Sequence, residues 1–262
     1  MVDWVSKKSY NIKDLEDIVR LLRGPGGCPW DAEQTHASIR RNFLEEAYEA
    51  VEAIDEESPD HLKEELGDVL LQVFLHAQME AEIDRFTLDD VADGICKKLI
   101  FRHPHVFGDV DVSGSDEVLV NWEALKREEK GQETYTDTLN AVARSLPALW
   151  RAEKVQKKAK KAGFDWDNIQ GPLDKLSEEI AELRQAVADN SNIEEEFGDL
   201  LFAAVNLSRF LKVDSEMALT AATDKFIRRF AKVEELAAGK MDTMSLEELD
   251  KLWDEAKTLE RG

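Results

Sequence analysis

Along most of the chain, apolar side chains recur at steps of three and four residues, the spacing that lines one face of a helix. Leu15, Ile18, Val19 and Leu22 make the first such stripe, and Gly24-Pro25-Gly26-Gly27 ends it. The next helix runs through Phe43-Leu44-Glu45-Glu46-Ala47-Tyr48-Glu49 and stops near Glu57. Ser58-Pro59 then offers a capping hydroxyl followed by proline at the first helical position, so a fresh helix starts there and carries Glu64-Glu65-Leu66-Gly67-Asp68-Val69-Leu70-Leu71. Farther on, Leu176-Ser177-Glu178-Glu179-Ile180-Ala181-Glu182 predicts a helix and Asp189-Asn190-Ser191-Asn192 a turn. Glu194-Glu195-Glu196-Phe197-Gly198-Asp199-Leu200-Leu201 predicts the returning helix. Strand alternation is nearly absent, and a weak stretch from Asp109 to Val120 reads as loop. The predicted fold class is all-α.

The two helix pairs resemble each other, and the likeness extends beyond them. Gly27-Cys28-Pro29-Trp30-Asp31 pairs with Gly163-Phe164-Asp165-Trp166-Asp167, and Lys98-Leu99-Ile100-Phe101-Arg102 with Lys225-Phe226-Ile227-Arg228-Arg229. Trp122 with Lys126 likewise pairs with Trp253 with Lys257, all in the same order. A duplicated unit of roughly 130 residues accounts for this. The first copy is placed at residues 8–133 and the second at 138–262.

Residues three or four apart share a helical face, so Glu178, Glu179 and Glu182 cluster on one helix, and Glu195, Glu196 and Asp199 on the next. In an antiparallel hairpin Glu179, Glu182, Glu196 and Asp199 lie roughly 8 to 18 Å from the turn at about 1.5 Å per residue, so they can meet. Glu46, Glu49, Glu65 and Asp68 repeat the arrangement in the first copy. Carboxylates held this close raise one another's pKa unless a cation neutralises them. An all-oxygen set suits Mg²⁺, with Mn²⁺ possible, and lacks the sulfur and imidazole that zinc takes. Glycine inside a helix costs about 1 kcal/mol against alanine, so Gly67 and Gly198 predict a close backbone approach beside the acids.

Lys98 with Arg102, and Lys225 with Arg229, put two cations on one helical face, an arrangement able to clamp phosphate. The basic run Arg151, Lys154, Lys157, Lys158, Lys160, Lys161 reads as a solvated helix face. A di-iron bundle would need two Glu-x-x-His motifs, and Glu33-Gln34-Thr35-His36 stands alone.

The formal net charge of −22 over 262 residues argues against binding nucleic acid or an anionic membrane. An anionic substrate must therefore be captured by metal and local cations. Cys28 and Cys96 are far apart and imply reduced thiols. The longest apolar stretch, Val69 to Leu75, is too short for a bilayer, so the expectation is a soluble cytoplasmic protein.

These motifs resemble those of the MazG-type nucleoside triphosphate pyrophosphohydrolases of the all-α pyrophosphatase superfamily, in its two-copy bacterial form. The family signature is a Glu-Glu-x-x-Glu helix followed by a Glu-x-x-Asp helix. Glu45, Glu46, Glu49 with Glu65, Asp68 meet it, as do Glu178, Glu179, Glu182 with Glu196, Asp199. The resemblance implies Mg²⁺-dependent hydrolysis of NTPs and dNTPs to monophosphate and pyrophosphate, with water attacking the α-phosphorus, by homodimers whose helices complete four-helix cores. It implies Glu179, Glu182, Glu196 and Asp199 as the catalytic metal ligands. It also implies nucleotide contacts from Lys175, Glu178, Glu195, Lys225, Arg228, Arg229 and Trp253, and from Lys98, Arg102, Trp122 and Lys126 in the first copy. The alternative is a nucleotide-sensing or partner-binding helical module with one catalytically silent copy.

Overall fold

The computed structural model describes residues 4–260, and every regular element among them is helical. The chain divides into two compact units between Lys126 and Arg127, near the end of the helix over Ser115–Glu129 that closes the first.

In the first unit, α1 (Ile12–Arg23) opens with a reciprocal cap in which Asn11 accepts from the Asp14 amide while the Asp14 carboxylate accepts from that of Asn11. A short α2 (Pro29–Glu33) leads to α3 (Arg40–Asp55) and α4 (Pro59–Ala81), which pair as an antiparallel hairpin. Proline at the first position of α4 needs no amide partner, but the Ser58 hydroxyl makes no capping bond, so proline alone marks this start. Val19, Ile39, Phe74, Leu75 and Met79 form the buried core, with Leu15, Leu70, Leu71 and Leu88 against it. Arg23 closes one side, bonding Glu82 at 2.8 Å and the Asp31 carbonyl at 2.5 Å. Then come α5 (Leu88–Arg102), α6 (Pro104–Phe107) and α7 (Ser115–Glu129). The segment from Asp109 was expected to stay loop through Val120, yet α7 starts at Ser115. Glu117 supplies the reason, accepting from both the amide and the hydroxyl of Ser113 to fix the first turn.

The second unit contains α8 (Tyr135–Asn140), α9 (Ala148–Lys161), α10 (Gln170–Asp189), α11 (Ile193–Leu211), α12 (Ser215–Ala237), a 3₁₀ turn at Met241–Thr243 and α13 (Leu246–Leu259). The α10–α11 hairpin turns sharply because Asn190 and Asn192 both adopt the left-handed conformation, φ 50° each, which asparagine tolerates better than most residues. α9 packs on α11, and Gln156 donates to the Phe202 carbonyl at 2.8 Å. Trp150 donates its indole N–H to Asp214, the N-cap of α12. No helix among the described residues is long and apolar enough to cross a membrane. Both hairpins leave large apolar side chains uncovered: Leu44, Tyr48 and Leu66 on one, Ile180, Phe197 and Leu201 on the other.

Candidate metal and phosphate site

Helix periodicity sets the acids. Glu46 and Glu49, one turn apart on α3, face Glu65 on α4, and their nearest ligand oxygens lie within 4.8 Å of one another. In the second unit Glu179 of α10 meets Glu196 and Asp199 of α11 within the same limit. The fourth acid of each set stands close enough to be felt. Burial first, then Asp68, Glu49 and Glu65, push the Glu46 carboxyl above its ordinary value. Burial first, then Glu182, Asp199 and Glu179, do the same to Glu196.

The two sets differ in the cation at hand. Lys175, one turn before Glu179, bonds Glu178 and Glu179 at 2.7 Å each, and those carboxylates hold its ammonium above the usual lysine value, Glu178 foremost. In the first unit His61 stands 3.2 Å from Glu65 and 3.0 Å from Glu56, and Glu56 chiefly raises its imidazole pKa. One carboxylate oxygen in each set nevertheless has no partner: Oε2 of Glu65 and Oε2 of Glu179, both buried. A buried carboxylate oxygen without a donor is strongly disfavoured, and a hard cation satisfies it. The donor sets are all oxygen and anionic, so they fit Mg²⁺ or Mn²⁺.

The remaining predicted residues fall on other elements. Lys225 and Arg228 are exposed on α12, while Arg229 bonds Glu260 at 2.6 Å and lies 5.8 Å from the Trp253 ring. Trp253 also packs on Phe226. In the first unit Arg102 is buried 5.4 Å from the Trp122 ring, and Lys126 approaches the same ring at 4.6 Å; Lys98 is exposed. Arg102 and Arg229 therefore brace one helix on another by cation–π contact, while Lys126 meets Trp122 within α7. Glu178 and Glu195 are exposed beside their clusters. The close approach expected at Gly67 and Gly198 is not found. A Cβ at either position would meet open space, because both lie on uncovered faces of their hairpins.

Sequence reasoning missed two polar constellations. His36 bonds His76 through facing Nδ1 atoms at 2.7 Å and Glu80 through Nε2 at 2.7 Å. Arg209 pairs with Asp165 through both carboxylate oxygens. No local spacing could reveal either, since each joins elements distant in sequence.

Two acid-lined helical hairpins in tandem define the class: an all-α protein with a carboxylate site in each of two repeated units. A family model for the MazG nucleotide pyrophosphohydrolase domain matches residues 34–107 and 169–234, which take in all eight acids. The nucleoside triphosphate pyrophosphohydrolase of Escherichia coli (strain K12) is 46% identical over 257 residues, 95% of this chain and 98% of that protein. The nucleoside triphosphate pyrophosphohydrolase/pyrophosphatase MazG of Thermotoga maritima is 46% identical over 248 residues, 94% and 95%. An uncharacterised Bacillus subtilis protein, YabN, is 50% identical over 258 residues, which span 53% of its length. The chain belongs to the MazG nucleotide pyrophosphohydrolase family, and is thereby a hydrolase of acid anhydrides.

Proposed function

We propose that the chain is a Mg²⁺-dependent nucleoside triphosphate pyrophosphohydrolase that cleaves NTPs and dNTPs between the α- and β-phosphates, releasing monophosphate and pyrophosphate. The observation that carries this reading is the pair of buried, partnerless carboxylate oxygens, on Glu65 and Glu179, each inside a cluster of acids within the family's matched segments. Glu179, Glu182, Glu196 and Asp199 would hold the cation in the second unit, and Glu46, Glu49, Glu65 and Asp68 in the first. Bound there, Mg²⁺ would offset the negative charge of the acids and of a triphosphate and would serve as a Lewis acid.

The chain's own groups do the rest. A carboxylate of the cluster orients a water at the α-phosphorus and takes up its proton. Lys175, held beside Glu179, is placed to meet a phosphate oxygen once a cation takes over that carboxylate. Lys225, Arg228 and Arg229 with Trp253 form the anion-binding side for the departing pyrophosphate, and Lys98, Arg102, Trp122 and Lys126 their first-copy counterparts. The uncovered apolar side chains of both hairpins favour a homodimer in which paired hairpins complete four-helix cores. The repeat limits 8–133 and 138–262 and a cytoplasmic location belong to the same reading. Product analysis tests it: NMP plus pyrophosphate is expected, and NDP plus orthophosphate would overturn the assigned bond.

A further inference from the structure

The first unit holds a polar cluster that the acid site does not use and the second unit does not repeat. His36 lies in the turn before α3, and His76 and Glu80 stand one turn apart on α4. Counted from Asp68 and from Asp199, the places of His76 and Glu80 are taken in the second unit by Leu207 and Leu211. That hairpin forms with leucines there, so the helical pairing itself does not call for an imidazole and a carboxylate.

The two imidazoles meet edge to edge. Their planes differ by 6°, their Nδ1 atoms are 2.7 Å apart and their centroids 4.9 Å apart. That centroid separation is nearly the most that the nitrogen contact and one ring radius at each end allow, so the two nitrogens point at each other along one line. Glu80 is 8% exposed, and its Oε1 stands 2.7 Å from His36 Nε2. An ionised carboxylate only accepts, so neutral His36 carries its proton on Nε2 and aims the Nδ1 lone pair at His76. Moving the His76 proton to Nε2 aims a second lone pair at the same point.

A carboxylate that holds the far nitrogen of an imidazole is the arrangement that orients metal-binding histidines. Arg85 steadies Glu80 at 3.4 Å, and the Phe43 ring lies 5.7 Å from that of His76. His36 is exposed, so its ring has room to turn. Tetrahedral bonds of about 2.0–2.1 Å from nitrogen to zinc set the two nitrogens about 3.3 Å apart, which a small outward turn of His36 supplies.

We propose that His36 and His76 bind a divalent transition-metal ion through their Nδ1 atoms, with Glu80 holding His36 from behind and water filling the remaining positions. Imidazole ligands suit Zn²⁺, Ni²⁺ or Cu²⁺ and not Mg²⁺, so this ion differs in kind from the one that suits the acid clusters. It ties the turn leading into α3 to a point on α4 that lies 40 residues along the chain, and it stabilises the first unit by binding its folded form.

The test uses the full chain with ZnCl₂ as the probe and Mg²⁺ in large excess, to keep zinc off the carboxylates. In long-range proton–nitrogen NMR spectra of the five histidines, one equivalent of Zn²⁺ should shift Nδ1 of His36 and His76 and leave His61, His103 and His105 in place. Unmoved signals from His36 and His76, or five that move alike, overturn the proposal. By calorimetry, His36→Gln should weaken Zn²⁺ binding about tenfold or more, and Glu80→Gln about 10- to 100-fold, at unchanged far-UV circular dichroism. A smaller loss in His36→Gln overturns the ligand assignment, and no loss in Glu80→Gln overturns the part given to that carboxylate. Zn²⁺ should also raise the melting temperature of the wild type and not that of His76→Leu; an equal rise in both counts against the site.

Discussion

Replacing Glu46 and Glu179 together by glutamine removes one carboxylate from each acid cluster without changing side-chain shape. Glu179 is 4% exposed, and its Oε2 lacks a partner. In cation-free protein the change relieves a buried acceptor, about 1–3 kcal/mol, and gives up the Lys175 pair, about 1 kcal/mol or less. The cation-free melting temperature should therefore hold or rise slightly. Magnesium reverses the order. At a hundred times its Kd, a cation that binds only the folded chain adds about 2.7 kcal/mol. At roughly 2–4 °C per kcal/mol for a protein near this size, the wild type gains about 5–11 °C. Losing a ligand costs at least the 10- to 100-fold typical of outer-shell partners. With a 100-fold loss the same Mg²⁺ concentration equals Kd and adds only about 0.4 kcal/mol, or about 1–2 °C. Differential scanning fluorimetry across a Mg²⁺ titration reads both numbers. A double variant that still gains the wild-type 5–11 °C would falsify the assignment of these acids as ligands.

Other outcomes follow from the same geometry. Asp199→Asn should lower kcat by about 10²–10³ or more in a pyrophosphate-release assay with the circular dichroism spectrum unchanged; near-wild-type turnover would remove Asp199 from the site. Glu46 and Glu196 have pKa values above the usual 4.5, so their contribution to cation-free stability is present below that value and lost as pH rises through the raised one. Protons thus compete with the cation, and the Mg²⁺ midpoint measured calorimetrically should move to higher concentration between about pH 7 and pH 5; a midpoint independent of pH would contradict this. Burial first, then His36, hold the His76 imidazole below its ordinary 6.5, in a cluster completed by Phe43, Glu80 and Arg85. Its contribution is full above that value and lost as pH falls through it, so the melting temperature should drop below about pH 6.5. His76→Leu, which copies Leu207 of the second repeat, should flatten that drop.

What could be read from the sequence was what local spacing encodes. Three- and four-residue steps put Glu46 with Glu49 and Glu179 with Glu182, and the Asn190 turn folded the second pair back onto Glu196 and Asp199. Ser58 and Pro59 take the N-cap and first helical positions their sequence predicts, although the Ser58 hydroxyl makes no capping bond and the proline fixes the start of α4. The onset of α7 escaped notice because its first turn is organised by a Glu117 side chain reaching back to Ser113, inside a stretch rich in Gly and Ser. Gly67 and Gly198 suggested tight packing within the chain but border open space, so their meaning lies on faces that one chain leaves uncovered. The bond from Gln156 to the Phe202 carbonyl joins α9 to α11, and the His36–His76 pair joins the turn before α3 to the later part of α4. Such tertiary pairs carry no periodic signal, and only the fold discloses them.

The central claim is that carboxylates from neighbouring helices gather to hold a divalent cation against a triphosphate. Its most direct test is a crystal grown with Mn²⁺ and a non-hydrolysable α,β-imido nucleotide, with the metal located by anomalous scattering. The account predicts a peak between Glu179, Glu182, Glu196 and Asp199 and in contact with phosphate oxygens. A peak elsewhere, with those side chains turned to solvent, would contradict it.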